Sequence, residues 1–126
     1  MIQLREDHVI KIGQKVKVYR NLHKDLFSIQ DALSKKVIAH GEGFLLKNVK
    51  FHVQENGRKK VVEMRRKRVH AFIVGEYMGI SKEDKTLYRE VYYNPYVTKQ
   101  FIDLMNNEPI VHSDYCFLDN NVCYVK

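Results

Sequence analysis

Apolar and polar residues alternate with period two over much of the chain, most regularly in Val49-Lys50-Phe51-His52-Val53-Gln54. That period sends successive side chains to opposite faces and predicts a strand with one face buried. The run meets Asn56-Gly57, a pair that tolerates the positive φ angles of a type I′ turn, so a return strand is expected from Arg58 to about Arg66. In that register Gln54 faces Lys59, His52 faces Val61, Phe51 faces Val62 and Lys50 faces Glu63. One face collects Val49, Phe51, Val53, Val62 and Met64, while the other collects Lys50, His52, Gln54, Lys59, Glu63 and Arg65. A basic helix over 59–72 is the competing element; Val61, Val62 and Val69 disfavour it, and it would leave the turn signal unused.

Other short strands follow from the same pattern. Val9 to Ile12 and Lys15 to Tyr19 flank Gly13-Gln14, a Gly-X pair suited to a type II′ turn. Phe27 to Gln30 and Lys36 to His40 flank a polar loop, and His40-Gly41-Glu42-Gly43 reads as a hairpin turn. Val69 to Tyr77 is apolar enough for a central strand. Leu87 to Tyr93 stops at Asn94-Pro95, because proline has no amide to give a ladder. Cys116 to Leu118 and Val122 to Val125 flank a final turn, and only Thr98 to Met105 carries helical spacing. The fold class expected is all-β and mainly antiparallel: a single domain over 1–126, forming one small curved sheet or partly open barrel with at most one short helix.

Composition changes this picture little, but charge adds to it. The 126 residues hold 22 Lys and Arg against 15 Asp and Glu, a net charge of +7. Seven cations between positions 58 and 68 (Arg58, Lys59, Lys60, Arg65, Arg66, Lys67 and Arg68) stand against Glu63 alone, so six of the seven net charges lie in eleven residues. A block this concentrated points to a polyanion, most simply RNA or DNA, with His70 and nearby tyrosines touching bases or sugars. The plainer reading of the same block is a solvated charged face. No apolar run approaches the roughly 20 residues of a spanning helix, and the N-terminus lacks a signal-peptide apolar region, so no membrane and a cytoplasmic setting are expected.

Three further constellations bear on chemistry. Tyr92, Tyr93, Asn94 and Tyr96 surround an Asn-Pro turn that serves either as a recognition loop or as a strand stop covering the core edge. A metal-free ribonuclease needs an acid, a base and a cation; His23, His40, His70 and Tyr93 are candidates, with His23 and His70 the least unfavourable pair, but no spacing joins them and no catalytic residue is assigned. Cys116 and Cys123 fall diagonally across the last turn, where sheet neighbours lie about 7 to 8 Å apart, so two free thiols are expected. The six scattered histidines have no metal-ligand spacing, and neither metal nor cofactor is expected.

The run Asn21-Leu22-His23-Lys24, with Phe27-Ser28, Gly57-Arg58, Val69-His70-Ala71-Phe72 and Tyr93-Asn94-Pro95-Tyr96, resembles a set of small proteins carried by bacterial phages and plasmids. The likeness spans about residues 16 to 96 and carries no catalytic or binding residue over. It implies a mobile-element setting, in which small proteins act on nucleic acid or inhibit host nucleases, as anti-CRISPR proteins do. Three functions are therefore weighed: a nucleic-acid-binding module working through the basic hairpin, an inhibitor docking on a nucleic-acid-containing host complex, and a metal-independent phosphodiesterase. The first is favoured and an enzyme is disfavoured.

Overall fold

Each strand carries the period-two rule into three dimensions. In β2 (Lys15–Asn21), Val16, Val18 and Arg20 are buried, while Lys15, Lys17 and Tyr19 turn to the other face. Valine is stiff at χ1 and packs well on a pleated surface, so strand propensity and burial agree here. The computed structural model describes residues 3–4, 10–54, 68–80, 85–98, 112–119 and 122–126. Its remaining strands are β1 (Gln3–Leu4), β3 (Leu26–Asp31), β4 (Val37–Gly41), β5 (Gly43–Gln54), β6 (Arg68–Gly79), β7 (Arg89–Tyr92), β8 (Tyr96–Thr98), β9 (His112–Asp119) and β10 (Val122–Val125), with one 3-10 turn at Lys85–Leu87.

All pairings are antiparallel, and the strands join in one sheet of order β1-β4-β3-β2-β6-β5-β9-β10-β7, with β8 also on β6. The apolar run from Val69 is the central strand that its composition predicts. Curvature follows from connectivity. Only Glu42 separates β4 from β5, yet β3, β2 and β6 lie between them in the sheet. Laid flat, four strand spacings would put β4 and β5 about 19 Å apart, whereas two residue steps reach at most about 7 Å. The sheet therefore curls until the end of β4 meets the start of β5. At the start of β5, Gly43 allows a close approach to β9, because a Cβ there would overlap the Leu118 carbonyl oxygen.

The concave face holds the core, with Phe27, Ile29, Phe44, Leu46, Ile73 and Leu118 fully buried. Each such side chain contributes about 1.5 to 3 kcal/mol through its removal from water. Tyr93, just beyond β7, sets its ring 6.1 Å from Phe27 and 6.2 Å from Phe51 and donates its hydroxyl to the Ala71 carbonyl at 2.7 Å. It thereby ties one end of the strand order to β3, β5 and β6. Arg20 is a buried cation in this wall: its guanidinium lies 4.9 Å over the Phe27 ring and pairs with Asp25 at 2.7 Å.

Several local expectations are corrected. β5 and β6 do pair, but Gln54 faces His70 rather than Lys59, His52 faces Phe72 and Phe51 faces Ile73. The apolar run after residue 68 gives β5 this partner, and the expected Asn56-Gly57 turn and return strand from Arg58 to about Arg66 lie outside the described residues. At the start of the chain, Gln14 N donates to Lys11 O with Gly13 at φ 87°, which places glycine third in the turn, as in type II and not II′. His40 to Gly43 is a bend between distant strands, not a hairpin. A bulge interrupts β5, where Asn48 adopts φ 54°, the register slips between Lys47 and Lys50, and Asn48 Nδ2 donates to Glu76 at 2.5 Å.

The cysteines form a disulfide instead of two free thiols. Cys116 faces Val125 and Cys123 faces Leu118, the diagonal arrangement expected, but the two Cα atoms are 6.3 Å apart, within the range a disulfide spans. Strand twist brings this diagonal closer than the spacing of a flat sheet. The helical spacing of Thr98 to Met105 falls mostly outside the described residues, although Thr98 itself ends β8. Among the described residues no helix is long and apolar enough to cross a membrane.

Candidate nucleic-acid interface

The convex face of β2, β6 and β5 collects cations and rings. Registers place Tyr19 opposite Phe72 and Phe72 opposite His52, a row across three adjacent strands. The His52 and Phe72 rings stack at 5.3 Å with 18° between their planes, and Lys17 Nζ lies 4.3 Å from the Phe72 centroid. Two residues along β6, exposed His70 meets the Tyr96 ring edge-on at 5.2 Å. Their adjacency is built by β8: Asn94 Oδ1 accepts the Tyr96 amide, Pro95 O accepts the Ala71 amide, and Tyr96 then pairs with His70.

Lysines border these rings. Lys15 and Lys50 are exposed, Lys47 lies 6.0 Å over Tyr115, and Glu76 is the one acidic side chain on the described outer faces of β2, β5 and β6. Burial, and then the nearby Lys35 ammonium, lowers the Lys17 pKa below the usual lysine value. No site is expected here from the sequence, although residues 1 to 40 already hold eight cations against four anions. That excess is dispersed along the chain, and only the pairing of β2 with β6 gathers it.

Of the residues predicted to bind, Arg58, Lys59, Lys60, Arg65, Arg66 and Lys67 lie outside the described residues. Arg68 opens β6 opposite Thr98, and His70 stands opposite Gln54. The segment carrying the basic block thus leaves and re-enters the sheet at the His70 and Tyr96 corner. The Tyr92-Tyr93-Asn94-Pro95-Tyr96 run divides. Tyr93 is 3% exposed and belongs to the core, which removes it from the expected recognition loop; Tyr96 reaches the outer face, Asn94 shapes the turn, and Tyr92 pairs with Val122 in the sheet. Burial pushes the Tyr93 phenol well above its ordinary pKa.

The histidines do not assemble a catalytic pair. The His23 amide is held in the β2–β3 turn by Asn21 Oδ1, and no hydrogen bond or ring contact joins His23 to His70 among the described residues. His40 Nδ1 lies 2.8 Å from Ser28 Oγ, which also accepts from Asn21 Nδ2 at 3.1 Å. This resembles an activated serine, but Ser28 is 0% exposed, so the pair serves to satisfy a buried hydroxyl.

The model of the family described as the Mycobacterium phage L5 gene 82 protein matches residues 9–126. The gene 82 protein of Mycobacterium phage L5 is 34% identical over 116 residues, covering 85% of this chain and 91% of the phage protein. No solved structure matches.

Proposed function

The chain belongs to the family of the Mycobacterium phage L5 gene 82 protein, and from that starting point we propose that it binds nucleic acid for a mobile genetic element. The convex face supplies rings and ammonium groups, and the Arg58 to Arg68 block supplies further phosphate contacts. The observation that carries the proposal is Lys17 and Lys50, both opposite Val74 and beside Phe72 and His52, with Lys15 further along opposite Glu76, the single carboxylate among the described residues of that face. A polyanion relieves the mutual repulsion of such a surface and releases counterions as it binds.

The test is binding of labelled oligonucleotides by fluorescence anisotropy between 50 and 200 mM salt, over which the Debye length falls about twofold. With about five phosphate contacts, log K falls against log salt with a slope of about −3.5 to −4.5. Replacing Arg65, Arg66, Lys67 and Arg68 with Ala reduces that slope, as does Lys15→Ala with Lys50→Ala. A slope near zero overturns the proposal. Poor binding of free oligonucleotides, together with recovery of one nucleic-acid-containing host complex by pull-down, identifies an inhibitor instead.

A further inference from the structure

We infer that the convex face takes single strands, with bases stacking on the His70 and Tyr96 rings; this rests on the nucleic-acid reading above and narrows its substrate class. The exposure of the rings decides the substrate class. His70 and Phe72 project from the same face of β6, two residues apart, which is about 7 Å along a strand. Phe72 is already covered by its neighbours, so stacking falls to the His70 and Tyr96 rings, and it requires a base whose face is open. A single strand offers such a face readily, whereas a duplex has its ring faces already stacked.

The two positions also differ in what they offer. Phe72 is engaged on both sides, by the His52 ring and by Lys17 Nζ at 4.3 Å, so it forms the wall of the site. His70 is exposed, and its contact with Tyr96 is edge-on at 66°, which leaves ring surface facing outward for a base. Lys50, exposed on the neighbouring strand, stands opposite Val74, two residues beyond Phe72 on the same face. It is placed for the phosphate of a strand running along β6. Every base has a stacking face, and the groups named at the site are two rings and an ammonium, so the site accepts RNA and DNA alike.

The test compares a twelve-nucleotide single-stranded DNA, the RNA of the same sequence and the corresponding DNA duplex, using the full chain. Both single strands are expected to bind at least about tenfold more tightly than the duplex, and 2-aminopurine placed within them is expected to be quenched on binding. Tyr96→Ala and His70→Ala each weaken single-strand binding by about 5- to 150-fold and reduce the quenching, while duplex binding is unchanged. Tyr96→Phe keeps the ring and restores both readouts, which separates stacking from a purely structural loss. Equal or tighter duplex binding, or quenching unaltered by both alanine variants, overturns this inference and leaves the nucleic-acid reading standing. Failure of every oligonucleotide to bind overturns both.

Discussion

At the scale of the residue, Tyr93 shows how position within a short motif decides between core and surface. Three tyrosines surround Asn94-Pro95, and nothing in their sequence ranks them. The ladder does so, because β7 ends at Tyr92 and the Pro95 carbonyl binds the Ala71 amide, which turns the ring between them inward and that of Tyr96 toward His70. The buried phenol keeps its proton to higher pH than in the unfolded chain. Its contribution is therefore complete below the unfolded value near 10 and is lost as pH rises through the folded value. Tyr77 acts in the same direction. Urea unfolding followed from pH 7 to 11 should show stability flat at first and falling above about pH 10. In Tyr93→Phe the hydroxyl bond to Ala71 is absent, so stability is lower by about 1 kcal/mol at neutral pH and the alkaline fall is shallower. An equally steep fall in the variant would assign it to other groups.

Elements were more legible than their partners. Alternation located β2, β3, β4, β6 and β10 to within a residue or two, and the end of β9 though not its start at His112, because one buried face imposes its period directly on the sequence. Pairing is a property of two segments, and there the local signals competed with the core. Asn56-Gly57 is a local signal, whereas Phe51 and Val53 lie opposite Ile73 and Ala71, about twenty residues along the chain. The same limit applies to Cys116 and Cys123, whose diagonal register was readable while the local twist was not. The disulfide encloses a short loop, with a separation of 7 residues, and on chain entropy alone adds about 2.5 kcal/mol. Dithiothreitol should lower the urea midpoint of the wild type by a corresponding amount and leave a Cys116→Ala, Cys123→Ala double variant unmoved. Titration of two thiols in the unreduced, denatured chain would show that the bond does not form.

Over the whole molecule, the +7 charge has two homes. The dense block was visible as a run of letters; the second, on the convex face, exists only because β2 lies against β6 and β6 against β5. Lys35 acts on Lys17 by like-charge repulsion, which raises the free energy of the unliganded fold and which salt screens over about 10 Å at 0.1 M. Raising sodium chloride from 20 to 200 mM should therefore stabilise the free protein by about 0.5 kcal/mol in urea unfolding while weakening its hold on oligonucleotides. The opposing signs distinguish repulsion within the fold from attraction to a partner. A fall in stability with salt would mean that attractive pairs dominate the charged surface.

The pairing of Gln54 with His70 has a practical consequence. Because that pairing joins the two long strands at positions 54 and 70, the number of residues between them sets a closure cost and leaves the register of β5 on β6 untouched. Doubling a connection adds only about 0.6 kcal/mol of that cost. A protein engineer can therefore lengthen the chain between these positions and expect the two strands to stay paired.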